Sequence, residues 1–238
     1  MILMSRSVAA GILVAILLAA YGNHFQNSFH FDDAHTIVNN SAMQSLKNVP
    51  MFFKDARTFS SLPSNQSYRP LVSTVFAIDY RLGGLNPFWF HFSIFALFLA
   101  LALLLAFVIY RLIDNVWIAL AATALYGLHP ANADTVNYII ASAEIISALG
   151  IVISFAIYLR FPQARKYYFY AVPAAIGVLA KPPTAIFPLL FATYLLLFER
   201  SESRLQRAAK IAAGGLARIA MAAGRTNRKY RRRLGNTK

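Results

Sequence analysis

Cysteine is absent from the 238 residues, which removes disulfides, thiolate metal ligands and a cysteine nucleophile, and leaves the redox compartment open. Acidic side chains are scarce, nine Asp and Glu against 23 Lys and Arg, for a formal charge of +14. Charged residues of both signs make up only 13% of the chain, against about a quarter in soluble domains. With 58% hydrophobic residues and a mean hydropathy of +0.51, water is not the main solvent of this fold. There is no glycine-rich phosphate loop, no HExxH and no GxSxG, so the familiar nucleotide, zinc-protease and serine-hydrolase sites are excluded as motifs.

The positive charge is concentrated. Residues 204–238 hold eleven Lys and Arg and no acid. A basic tail after an apolar stretch reads as a cytoplasmic flank beside anionic lipid. Nucleic-acid binding is not expected, because the tail offers a single aromatic, Tyr230, on which to stack a base.

A hydrocarbon layer about 30 Å thick needs roughly 20 apolar residues per helix, fewer where a bundle shields the ends. Six runs come near this requirement, at about 7–22, 87–110, 115–129, 143–159, 167–180 and 184–198. The expected fold is therefore all-α, a multi-pass transmembrane helix bundle of about six spans. Its first loop, about 23–86, is extra-cytoplasmic and carries short interfacial helices. The run at 7–22 also has the look of a cleavable signal peptide, since it follows Arg6 and ends in small residues. The segment Tyr68–Leu85 is interrupted by Arg69, Asp79 and Arg81 and is expected to lie on the interface. With the N-terminus inside, Arg6, Arg111, Arg160, Arg165, Lys166, Arg200 and the tail fall on the cytoplasmic side, the positive-inside pattern.

That topology gathers the reactive groups on one face. Asp32, Asp33, His35, Arg69, His129, Asp134, Glu144 and Lys181 all come out at or near the outer surface. Paired carboxylates at Asp32 and Asp33 suit a general base, because burial and a like-charged neighbour raise a carboxyl pKa; they equally suit a cap on the next helical stretch. Arg69, just ahead of Pro70, suits bidentate contact with a phosphate or the anchoring of lipid head groups. His129 closes the third run, with Asp134 and Glu144 beyond it; ionisable groups there favour a water-filled cavity, although helix capping accounts for them too. The spacing of these three matches no standard metal-ligand pattern, and no cofactor is indicated, a divalent metal included. Lys181, before two prolines, is placed to hold a phosphate as a point charge or to snorkel.

In order, FxxxFHFDD (Phe25–Asp33), SYRPL (Ser67–Leu71), GLNPFWFH (Gly84–His91), LHPxxxDxVxYIxxxxE (Leu128–Glu144) and LAKPP (Leu179–Pro183) resemble a known family. The resemblance is to the N-terminal part of the GT-C fold membrane glycosyltransferases of the transmembrane and tetratricopeptide-repeat kind, the protein O-mannosyltransferases and their bacterial relatives. It runs from about Phe25 to Arg200. It implies sugar transfer, with inversion, from a polyprenyl-phosphate donor to an acceptor hydroxyl, on a protein among other acceptors, at the non-cytoplasmic face. By position, Asp32 and Asp33 match the acidic pair of the first loop, one of which serves as base. Arg69, His129 and Lys181 match positions near the carrier phosphate, and Asp134 and Glu144 match supporting acidic positions. Ser142 stands where many relatives have arginine, and Pro182 where many have glutamate, so a catalytically inactive scaffold or lipid-carrier-binding protein of the same fold is the alternative.

The resemblance implies a transmembrane GT-C-like domain over 1–200 and a basic tail over 201–238, in the plasma (inner) membrane if the host is bacterial. Family members continue with further spans and helical repeats, whereas residues 217–238 show no apolar period and no repeat helix pair. A truncated or frame-shifted fragment is the corresponding expectation.

Overall fold

The computed structural model describes residues 5–199, so the expected basic tail lies outside the described residues. Among the described residues every regular element is helical, and no strand is present. The chain divides into two compact units, residues 1–182 and 183–238.

In the first unit, α1 (Arg6–Ala20) opens at Ser5, whose hydroxyl accepts a hydrogen bond from Val8 N–H at 3.3 Å. Such a cap typically contributes about 1 kcal/mol. The chain then runs through short 3₁₀ and π turns and α2 (Val49–Phe52) to α3 (Pro70–Gly83). Pro70 occupies the first turn of α3, where a missing N–H costs nothing, and the helix stops at Gly84, whose φ of +61° favours glycine. A Cβ on the neighbouring Gly83 would fall on the Trp89 indole, so the hairpin into the next helix depends on that close approach.

The long helix α4 (Pro87–Ile113) is capped by Asn86 and ends at Asp114 in the left-handed region. It is followed by α5 (Val116–Gly127), capped by Asn115, and by α6 (Pro130–Asn137). Next come α7 (Ser142–Arg160), α8 (Pro162–Lys166) and the six-residue α9 (Val172–Gly177). Gly150 lets α7 approach α9 closely, since a Cβ there would lie 2.8 Å from the Pro173 carbonyl oxygen and 3.1 Å from the Gly177 Cα. The described part of the second unit is dominated by α10 (Phe187–Phe198), along which Phe187, Phe191, Tyr194 and Phe198 stack at helical spacing.

Two stretches, Pro87–Ile113 and Ile139–Arg160, are long and apolar enough to cross a bilayer. The other expected spans form shorter helices. α1 has 15 residues and α5 has 12, and the run at 167–180 is a 3₁₀ turn followed by α9 rather than a continuous helix. The break has local causes: Tyr168 has a φ of +59°, and Pro173 sits in the first turn of α9. Leu18, Phe88, Phe92, Trp117, Ile118 and Leu125 expose large apolar side chains on α1, α4 and α5, the surface a lipid environment accepts.

The first unit has two cores. One joins α1, α4 and α7 through Leu13, Leu17, Phe95, Phe98, Ile145 and Leu149. The other packs the 23–86 loop onto the first turns of α4 and α7 through Phe52, Phe59, Phe76, Phe90, Ile139, Ala143 and Ala180. The loop is thus a folded layer of its own, and each fully buried phenylalanine contributes about 1.5–3 kcal/mol relative to exposure in water.

Asp79 lies 1% exposed on α3 and accepts a hydrogen bond from the Ser93 hydroxyl on α4. Burial pushes its carboxyl from 3.8 up to about 7, against the opposing effect of Ser93. Its folded pKa is therefore above its unfolded one, so its contribution to stability is full below about pH 4 and is lost as pH rises through 7. Asp79→Asn is expected to be near neutral at pH 4 and stabilising by about 2–4 kcal/mol at pH 8, read from unfolding midpoints at the two pH values. Equal effects at both would contradict the buried-acid assignment.

Candidate functional site

The residues between α1 and α3 and those between α5 and α7 meet at an open cleft of about 540 Å³. Five of the seven sequence-predicted site residues line it: Asp32, Arg69, Asp134, Glu144 and Lys181. Two do not. Asp33 is buried, and His129 is not among the residues of the cleft wall.

The acidic pair divides into two roles. Asp33 is 1% exposed, and its carboxylate accepts hydrogen bonds from His30 N–H at 3.0 Å and Ile140 N–H at 3.2 Å. It thereby ties the FHFDD turn to the 139–141 turn ahead of α7. Burial pushes its carboxyl up to about 6, partly offset by those two donors. Asp32, with its side chain half exposed, faces the cleft. Its backbone N–H donates to the Tyr138 hydroxyl at 3.1 Å, which fixes the turn from the α6 side. Phe31, next to it, has a φ of +46°, a conformation that costs a bulky residue about 1–3 kcal/mol and concentrates at functional sites. Its ring meets Tyr138 edge-on at 6.1 Å.

The cations come from two directions. Arg69 precedes α3 with a non-helical backbone, and its guanidinium lies over the Phe59 ring at 5.1 Å. Burial lowers its pKa and the Asp32 charge raises it. Lys181 follows α9, its N–H donating to Gly177 O at 3.1 Å, and its ammonium pairs with Glu144 in the first turn of α7. Burial and the Arg69 charge both lower the Lys181 pKa, which records how near the two cations lie. A backbone hydrogen bond from Leu71 N–H to Leu179 O, at 3.5 Å, holds the two segments side by side. Two cations, the carboxylates of Asp32, Asp134 and Glu144, and hydroxyl and amide groups from Ser64, Asn65, Gln66 and Ser67 therefore share one open cleft. It has the composition to hold a phosphate beside a general base.

His129 is the N-cap of α6, its Nδ1 accepting from Ala131 N–H at 3.2 Å, and it does not line the cleft. Asp134 lines the cleft from α6. Among the described residues, no group of three or more His, Asp or Glu side chains is arranged to hold a metal ion.

Sequence reasoning counted His35 among the reactive groups without giving it a role, and assigned none to Ser60, Asn65 or Tyr138. His35 Nε2 lies 3.2 Å from Asp32 Oδ1, and the i, i+3 spacing of the two on one helical turn was a readable signal. Ser60, Asn65 and Tyr138 reach the site through long-range packing and left no local signal.

Comparison with known proteins gives one consistent group of relatives. The chain is 28% identical to Protein O-mannosyl-transferase TMTC1 of Homo sapiens over 159 residues, which cover 64% of this chain and 18% of that protein. It is 25% identical to Protein O-mannosyl-transferase TMTC3 of Homo sapiens over 152 residues, 63% of this chain and 16% of that one. With Protein O-mannosyl-transferase TMTC4 of Mus musculus it is 29% identical over 170 residues, 63% and 22% respectively. The chain thus spans about a fifth of the length of the curated relatives it matches. The resemblance read from the motifs is the similarity found. No family model matches, and neither does any solved structure.

Proposed function

We propose that the chain is a membrane glycosyltransferase, or the N-terminal part of one, which moves a sugar from a polyprenyl-phosphate carrier to an acceptor hydroxyl outside the cytoplasm. The observation that carries this reading is the convergence of Asp32, Arg69 and Lys181 on one cleft beside the first turn of the apolar helix α7. The relatives are named protein O-mannosyl-transferases, which supports it and makes a protein hydroxyl the first acceptor to test.

In this mechanism Asp32 takes the proton of the acceptor hydroxyl as its oxygen attacks the anomeric carbon from the face opposite the carrier. The carbon–oxygen bond to the phosphate breaks, and the electron pair leaves with the phosphate. Arg69 and Lys181 meet the charge that develops on that phosphate, so no strong general acid is required. Asp33 holds the turn that presents Asp32, Glu144 positions Lys181, Asp134 contributes a polar wall, and His129 caps α6. The carrier's apolar chain lies in the bilayer beside the exposed apolar faces of the helices.

The test is transfer of radiolabelled sugar from a polyprenyl-phosphate donor to acceptor peptides by the purified chain in nanodiscs. Transfer is expected to disappear in the Asp32→Asn, Asp33→Asn double variant. Undiminished transfer by that variant contradicts the reading. Retained binding of the lipid phosphate with no turnover by the unaltered chain would favour a carrier-binding scaffold, the alternative to which Ser142 and Pro182 point.

A further inference from the structure

His35 is 13% exposed at its side chain, lines the same cleft and touches the base directly, so its proton inventory bears on the chemistry. Its Nδ1 lies 2.9 Å from the Ser60 hydroxyl. Ser60, 1% exposed, has only one proton to give, and that proton goes to Leu62 O at 3.2 Å. Ser60 Oγ in turn accepts from Leu62 N–H at 3.0 Å. With its proton on Leu62 O the hydroxyl meets Nδ1 as an acceptor, and with the Asn65 amide donating to Nε2 it is Nδ1 of His35 that carries a hydrogen. A neutral imidazole has one N–H, so Nε2 is left as an acceptor, consistent with the Asn65 side-chain amide donating to it at 3.0 Å. Yet Nε2 also lies 3.2 Å from Asp32 Oδ1, an oxygen that has only lone pairs when the carboxylate is ionised. Two acceptors at that distance attract each other only when a proton lies between them.

We infer that His35 is a positioning residue for Asp32: Ser60 fixes its tautomer so that Nε2 shares the proton that Asp32 removes from the acceptor hydroxyl. The inference rests on the function proposed above and adds to it a second proton-holding group. The balance is simple. The acceptor oxygen forms the new bond to the anomeric carbon, its proton passes to Asp32 Oδ1 and is shared with His35 Nε2, and the electron pair of the broken bond leaves on the carrier phosphate. The Asn65 amide gives up its hydrogen bond to Nε2 when the proton arrives. His35 is also anchored through its backbone, where its carbonyl accepts from Ser61 N–H at 2.9 Å and Ser61 Oγ at 3.0 Å, so the ring is held from both ends.

The chain has five histidines, so ¹⁵N-imidazole labelling of the whole protein in nanodiscs gives a spectrum in which His35→Gln identifies the His35 signals by their loss. Asp32→Asn is expected to shift the His35 Nε2 resonance, and Ser60→Ala to redistribute the ring from the Nδ1–H form toward a tautomer mixture. In the transfer assay Ser60→Ala and His35→Gln are expected to lower kcat by about 10- to 100-fold with KM little changed. Added imidazole is expected to restore part of the kcat of His35→Ala, which a loss of packing alone would not allow. His35 signals that ignore both Asp32→Asn and Ser60→Ala overturn the inference. So does undiminished kcat in His35→Gln. Because the spectrum needs no turnover, failure of this contact and failure of the transferase reading are separately visible.

Discussion

Asp32→Asn is expected to lower sugar-transfer turnover by about 10²–10⁴-fold while leaving the unfolding midpoint nearly unchanged, and Asp33→Ala to do the reverse. The two neighbours sit in opposite environments. Asp32 is half exposed in the cleft, and its side chain carries none of the backbone contacts that hold the loop. Asn is nearly isosteric but cannot take a proton, so the chemistry fails and the fold does not. Asp33 is enclosed, and its carboxylate is the acceptor for His30 N–H and Ile140 N–H. Alanine leaves both donors without that partner, at a cost of about 1–3 kcal/mol. The comparison is best made at or below about pH 4. Burial pushes the Asp33 carboxyl from 3.8 up to about 6, so only there is the group largely protonated in the folded state and little ionised in the unfolded one, and its removal relieves little linkage cost. At pH 8 the same substitution also removes a buried charge, and the net destabilisation is expected to be smaller. A turnover loss in Asp33→Ala matching that of Asp32→Asn, with an intact fold, would reassign the base.

The second large effect concerns the phosphate. Arg69 and Lys181 stand close enough for each other's charge to matter, and Glu144 pairs with Lys181. A phosphate entering the cleft exchanges that carboxylate for a ligand and adds the guanidinium. Hydrogen bonds to charged groups are worth about 1.5–3 kcal/mol each. The double variant Arg69→Gln, Lys181→Gln is therefore expected to weaken lipid-phosphate binding by about 10²–10³-fold. Lys47→Gln and Lys54→Gln, exposed positions on the same loop that do not line the cleft, should leave it unchanged, which separates the site from general attraction of anions to a basic protein.

Much of this site was legible in the sequence because its members are ionisable residues in an apolar chain, where each needs water, a partner or a task. Asp32, Arg69, Asp134, Glu144 and Lys181 were found on that ground, although they are spread over 150 residues. His129 was drawn in by the same logic but serves as a cap, because His-Pro at a helix start satisfies the second N–H of the turn locally. Asp33 could not be told from Asp32 by spacing. Which of two adjacent carboxylates is enclosed depends on the 139–141 turn, far away in sequence. His35 needed only its i, i+3 offset from Asp32, whereas Ser60 and Asn65 reach it through the folding of the loop core around Phe52, Phe59 and Met43. The apolar runs at 87–110 and 143–159 predicted long helices that are present. The run at 167–180 did not become one helix, since hydropathy does not register the left-handed Tyr168 or the Pro173 that starts a new turn.

The most direct test of the central claim, that one outer cleft takes a carrier phosphate between Arg69 and Lys181, is equilibrium binding of a short-chain polyprenyl phosphate to the whole protein in nanodiscs. Saturable binding that falls by about two orders of magnitude in Arg69→Gln, Lys181→Gln and is unmoved by Lys47→Gln, Lys54→Gln is the predicted result. Equal affinity in all three proteins would contradict it.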